Sequence, residues 1–180
     1  MLLGAKLPNV FPYRYYFTQK NEIEKIIKEI LKDGVICPHT KPFSSLLVMV
    51  LKKNEEWCMC LDFRSLNKLT IKENFPFPVV DDLLDELHFT KMDLYSGYHQ
   101  ICMKDIDIPK TTFRNHEGHY EFLVMPFGHC NAPSTFQSLM NHLLKPYLQK
   151  LILVFFNDIL IYNIRWDKHL QHLDQILQFL

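Results

Sequence analysis

The stretch Leu151-Ile-Leu-Val-Phe-Phe-Asn-Asp-Ile-Leu-Ile-Tyr162 constrains this chain more than any other. Two short apolar runs, rich in Ile, Val and Phe, flank a two-residue polar break. Such runs read as buried strands, and Asn157-Asp158 between them reads as a tight hairpin turn. The turn holds a carboxylate, Asp158, at the tip of a rigid apolar ribbon. Taken alone, an ordinary hairpin with a polar turn accounts for it. A second carboxylate beside it would change its meaning.

The segments before the hairpin show what can lie beside it. Residues 1–17 are rich in Pro and aromatics and read as an extended arm. Thr18 or Asn21 can cap a helix to about Asp33, whose Ile23, Ile26, Ile27, Ile30 and Leu31 form one stripe, with Gly34 as its C-terminal stop. Ser45–Leu51 and Trp57–Asp62 read as a hairpin around the polar turn Lys52–Glu56. Arg64–Leu69 suits one helical turn. Pro76 and Pro78 precede a short helix, Val79–Leu87, with an acidic outer face. A strand from Phe89 to Leu94 follows, then a Ser96-Gly97 turn and an extended Tyr98–Met103. Thr111–Arg114 and Tyr120–Val124 are expected as strands. Ala132-Pro133 opens a helix to about Leu148, and Trp166–Leu180 is a last amphipathic helix that ends apolar and without a cap. A partner surface, or further chain, is expected there.

Strands and helices in this order suit an α+β fold, a small antiparallel sheet with helices on one face. In such a sheet the strand ending at Asp93 can lie beside Asp158. Two carboxylates would then share one sheet edge, as in sites that hold Mg2+ with water and phosphate in the remaining positions.

Composition narrows the partners. Hydrophobic residues make up 48% of the 180, enough for a core. Lys plus Arg and Asp plus Glu both number 20, so a nucleic-acid role must rest on a local patch, for which residues 41–72 are the basic candidate. Five scattered Cys and no signal peptide suggest reduced thiols and an intracellular, cytoplasmic or nuclear, setting. No apolar run has transmembrane length, so no membrane partner is expected. The His pairs 116/119 and 169/172 lack nearby Cys in zinc-finger spacing.

Four long blocks now carry a resemblance. Phe89-Thr-Lys-Met-Asp-Leu-Tyr-Ser-Gly-Tyr-His-Gln-Ile101, the segment from His116 to Gly128 ending Met-Pro-Phe-Gly, Asn131-Ala-Pro-Ser-Thr-Phe-Gln137 and Leu153–Leu160 resemble the reverse transcriptase of gypsy-type LTR retrotransposon Pol polyproteins. Trp57–Asn67 and Pro12–Tyr15 belong to the same resemblance, which covers roughly residues 8–180. It implies the fingers and palm of a right-hand polymerase with the thumb absent, residues 1–75 and 101–133 as fingers, and 76–100 and 134–180 as palm. It implies addition of dNTP to a primer 3′-OH on an RNA or DNA template, assisted by Mg2+ or Mn2+.

Residue by residue, the resemblance makes Asp93 and Asp158 metal ligands and places Asn157 beside them at the catalytic turn. Tyr98 would lie under the incoming sugar. The backbone of Leu94, Tyr95, Ser96 and Gly97 would meet the triphosphate. Lys52 and Lys53 would reach its phosphates, and Phe127, Gly128 and Gln137 would line nucleotide and template. Three departures point to impaired activity: Asn157 where the family has Asp, Cys58 where it has Arg, and a shortened approach to Phe89. The chain also stops before the family's thumb, RNase H and integrase regions. The alternative is an inactive retroelement remnant, either without function or kept to bind nucleic acid or protein.

Overall fold

Phe17–Lys32 forms α1, and its isoleucine stripe buries Ile23 and Ile27 completely. Full burial of such a side chain stabilises by about 1.5–3 kcal/mol. The helix starts earlier than Thr18 or Asn21 would place it. Tyr16 is the first flanking residue, and the Gln19 side chain accepts a hydrogen bond from its N–H at 3.1 Å. Gly34, at φ +69°, ends it as expected. Its N–H donates to Leu31 O and that of Val35 to Ile30 O, which satisfies the last carbonyls.

The computed structural model describes residues 7–179 except 12, 41, 74–87, 95, 149 and 156–157. These divide into two compact units, Met1–Lys72 with Tyr98–Ala132, and Glu73–Gly97 with Pro133–Leu180. The expected acidic helix Val79–Leu87 lies outside the described residues, as do Tyr95 and Asn157.

In the first unit, β2 (Leu46–Leu51) and β3 (Trp57–Asp62) form the expected antiparallel hairpin. A second sheet has the order β1-β6-β5, from Ile36–Pro38, His119–Phe122 and Phe113–Arg114. A short helix, α2, spans Arg64–Lys68. The core gathers Ile23, Ile27, Ile36, Leu47, Met49, Phe113 and Phe122. The N-terminal arm does lie against the unit: Arg114 donates to Val10 O at 2.8 Å and its guanidinium covers the Phe11 ring.

One strand here is unexpected, and two expectations fail. Ile36–Pro38 pairs with β6 although too short to stand out as a strand. Tyr98–Gln100, expected as extended chain, instead continues the turn at Gly97 as a tight 3-10 helix. Ile108–Thr111 is another, so the strand begins only at Phe113. There the Thr111 and Thr112 hydroxyls donate to Ile108 O and Pro109 O at 2.7 and 2.6 Å, holding the turn against extension.

The second unit is built on an antiparallel sheet of order β4-β8-β7, from His88–Asp93, Asp158–Asn163 and Ile152–Phe155. Ile152, Val154, Ile159 and Ile161 are buried on one face with Ile176 of α4 (Trp166–Phe179). Also in this core are Phe136 and Met140 of α3 (Ala132–Leu143) and Leu144 just after it. α3 ends before the expected Leu148. Pro146 lacks the N–H that would continue the ladder, and its ring disfavours helix at the residue before it.

Candidate active site

Strand register sets the geometry of the site. In the β4–β8 ladder Asp93 stands directly opposite Asp158, so the last residue of one strand meets the first residue of the other. Opposed residues share a face, with Cα atoms about 4.5–5.5 Å apart. The buried Ile159 and Ile161 take the helix side, which leaves both carboxylates on the outer side. Asp158 also pairs with Phe155, so it is a strand residue and not the turn residue expected. The strand fixes its direction more firmly than a turn would.

A cation already engages this pair. Lys91, two residues before Asp93 on the same face, places Nζ 2.8 Å from Asp158 Oδ2. It lies opposite Leu160, so the contact is the diagonal one available across adjacent strands. The hydrogen bond and charge of Asp158 raise the Lys91 pKa, with a smaller contribution from Asp93. Two hard carboxylate oxygens on one sheet edge fit a divalent cation that takes its other ligands from water and phosphate. Among the described residues no group of three or more His, Cys, Asp or Glu is placed to hold a metal, and Asn157 is outside them.

The turn after β4 is shaped by two residues. Ser96 sits at φ +48°, a left-handed conformation that costs a non-glycine residue about 1 kcal/mol. Gly97 leaves room for Phe136 of α3; a Cβ there would come within 3.0 Å of the ring. The Gly97 N–H donates to Leu94 O at 3.2 Å, closing the turn on itself. Gln137, expected at the template, is fully buried, and its Nε2 donates to Val154 O at 2.9 Å, tying α3 to β7.

The remaining candidates belong to the first unit. Tyr98 is buried, with its ring edge-on to Phe127 at 5.0 Å, and burial raises its phenol pKa. Gly128 takes φ +86°. Asn67 clamps this loop with both ends of its amide: Nδ2 donates to Gly128 O at 2.8 Å, and Oδ1 accepts from Cys130 N–H at 2.9 Å. Lys52 and Lys53 stand exposed at the β2–β3 tip, and Lys52 lies 4.0 Å from Glu56. Cys58 shares the outer face of β3 with Cys60, their sulfurs 3.8 Å apart.

The sequence pattern described as "Reverse transcriptase (RNA-dependent DNA polymerase)" matches residues 50–180. The chain belongs to the reverse transcriptase family. It is 38% identical over 174 residues to the retrovirus-related Pol polyprotein from transposon opus of Drosophila melanogaster, covering 92% of this chain and 17% of that one. The Pol polyprotein from transposon gypsy of the same species is 37% identical over 164 residues, 86% of this chain and 16% of its own. An RNA-directed DNA polymerase homolog of Oenothera berteroana is 46% identical over 122 residues, 64% of this chain and 86% of that protein. The chain thus spans about a sixth of the length of the transposon polyproteins. The crystal structure of native prototype foamy virus protease-reverse transcriptase superposes with a TM-score of 0.85 at 23% identity, over 99% of this chain and 24% of that one. The α+β fold is therefore that of a reverse transcriptase, of the kind carried by retrotransposon Pol polyproteins, and this family generally uses a divalent metal.

Three residues beside the candidate positions, each within its own unit, are not singled out by the sequence. Nothing in the sequence marks Lys91, because its partner is reached only through the β4–β8 register. Asn67 closes the Trp57–Asn67 block, and that position was its one visible signal. Phe136 lies within the Asn131–Gln137 block and reveals its role only by packing on Gly97.

Proposed function

We propose that this chain is the fingers and palm portion of an RNA-directed DNA polymerase, with Asp93 and Asp158 holding its Mg2+ or Mn2+ and with nucleotidyl transfer weakened by its own substitutions. The single observation carrying this is the opposition of Asp93 and Asp158 across β4 and β8. The fingers would comprise 1–75 and 101–133, and the palm 76–100 and 134–180. When bound, the metals supply a clamp on the attacking and leaving oxygens of the transfer. The chain's own part is to hold them. Rigid strands fix both carboxylates, so no reorganisation is needed when charge develops.

Tyr98, wedged by Phe127, would present a fixed ring edge to the sugar and so favour deoxyribose by sterics. The backbone of 94–97 would face the triphosphate, and Lys52 and Lys53 its outer phosphates. Gln137 would act through β7, holding the strand that leads to Asp158. A template–primer is the expected partner. Foamy virus protease-reverse transcriptase structures in complex with RNA/DNA hybrid and with dsDNA, which share this fold, support that reading.

Weakening follows from charge. Asn157 keeps a coordinating oxygen and loses a unit charge, worth roughly 4 kcal/mol at about 4 Å and an effective dielectric near 20. That corresponds to about a thousandfold in rate. Cys58 cannot supply the planar cation that Arg would bring to a phosphate.

Primer extension on poly(rA)/oligo(dT) with Mg2+ or Mn2+ tests this. The native chain is expected to extend weakly, Asn157→Asp more strongly, and Asn157→Asp with Cys58→Arg more strongly still, all abolished by Asp93→Ala. Equal activity in native and repaired chains would refute the weakening. Extension that survives Asp93→Ala would refute the site. Silence from every version would favour the second reading, a non-catalytic binding module, to which the Lys91–Asp158 ion pair already lends support.

A further inference from the structure

The outer face of the second unit's sheet holds a cation where the proposed reaction needs a different one. Lys91 Nζ is 2.8 Å from Asp158 Oδ2, while its side chain keeps 58% of its exposure and that of Asp158 keeps 32%. An ion pair this exposed adds little to stability, so the fold does not depend on it. Its effect is on charge. Asp93, Asp158 and Lys91 share one face, and the ammonium cancels one of the two carboxylate charges.

We infer that Lys91 is a built-in counter-cation that competes with the divalent metal for Asp158 and sets how much metal the site requires. This rests on the metal role given to Asp93 and Asp158 above. A divalent ion at Asp158 either displaces the ammonium from Oδ2 or shares the carboxylate with it, and in both cases the two cations oppose one another at short range. The exchange is feasible because the Lys91 stem is long, flexible and open to solvent, so the head can swing away without disturbing the strand. The cost is a charge cost. The metal must displace a cation bound at contact distance or share the carboxylate with it, and the ammonium stays nearby either way, since its Cα is fixed two residues from Asp93. Lys91 and Asn157 therefore act in the same direction, each lowering by one unit the negative charge available to the metal.

The test uses the full chain and Mn2+ alone, with free Mn2+ followed by electron paramagnetic resonance and bound Mn2+ by water proton relaxation. Lys91→Met is expected to bind Mn2+ roughly tenfold more tightly than the native chain, well below the scale used for Asn157, because the Lys91 head is exposed and solvent screens its charge. Lys91→Arg, which keeps the charge, is expected to match the native chain. Asp93→Asn should lose the binding in either background, which ties the signal to this site. Circular dichroism of each variant confirms the fold, and Lys91→Gln serves as a second neutral variant. Equal Mn2+ affinity in native, Lys91→Met and Lys91→Gln chains would overturn the inference while leaving the metal site standing. So would tightening by Lys91→Arg as large as by Lys91→Met. No Mn2+ binding by the native or either neutral chain would overturn the inference together with the metal reading beneath it.

Discussion

At the scale of single residues, Gly97 is the position where the least atom matters most. A Cβ at Gly97 would lie 3.0 and 3.2 Å from two ring carbons of Phe136. That ring is 2% exposed and hemmed in by the core, so it cannot swing clear. Gly97→Ala is expected to cost about 1–3 kcal/mol, the usual penalty of overpacking. The urea midpoint measures it, and Phe136→Leu in the same chain should recover part of the loss. If Gly97→Ala unfolds at the native midpoint, the ring is not confined as described. The residue scale is also where the sequence was most legible. Asp93 and Asp158 stand in long blocks whose residue order is specific, and the structure opposes them. Lys91 was not legible, because a diagonal contact depends on register, and register is a property of two strands at once. Asn67 was hidden for the same reason, since its partners Gly128 and Cys130 are remote in sequence.

At the scale of elements, α4 docks on the sheet through a histidine. His169 is buried, and its Nε2 shares a hydrogen bond of 2.8 Å with Thr90 Oγ1 of β4. Desolvation first, then the charges of His88 and His172, push its pKa below the ordinary value. Burial likewise lowers His99 and His129, the latter partly offset by Asp107. The unfolded chain therefore takes up protons before the folded one as pH falls. Stability is complete above the unfolded histidine value of about 6.5, declines as pH drops below it, and levels off once pH is below the depressed folded values. Urea midpoints measured from pH 8 to pH 5 should fall across that window. His169→Gln should flatten the decline, and an unchanged slope would remove His169 from the account. Elements with a local cause were readable: α1 from its stripe and Gly34, and the β2–β3 hairpin from its polar turn. Elements with a remote cause were not. β1 exists because β6 pairs with it, and the 3-10 turn at Ile108–Thr111 because Thr111 also accepts the Phe122 N–H.

At the scale of the whole molecule, charge governs contact with nucleic acid. Twenty basic and twenty acidic residues leave no surplus to release counterions from a phosphate backbone. Residues 41–72, with six basic against three acidic side chains, offer a local excess. Fluorescence anisotropy with a labelled RNA/DNA hybrid should therefore give weak affinity, a Kd above about 10 μM at physiological salt, at the weak end of non-specific binding. Lowering salt to 50 mM should tighten it only modestly, since few phosphates are neutralised. A nanomolar Kd would show that a concentrated basic surface compensates for the neutral total.

The opposition of Asp93 and Asp158 also says how a gene for such a chain can decay. A one-residue deletion within β8 would turn Asp158 toward the helices and Ile159 outward, so the sheet would fail along with the site. Replacing a carboxylate by an amide at the sheet edge removes charge and leaves the apolar face of Ile152, Val154, Ile159 and Ile161 untouched. Substitutions at the edge are therefore silent with respect to folding, while a one-residue insertion or deletion inside β8 costs the fold along with the site. A copied element of this kind loses its chemistry first and its shape long afterwards.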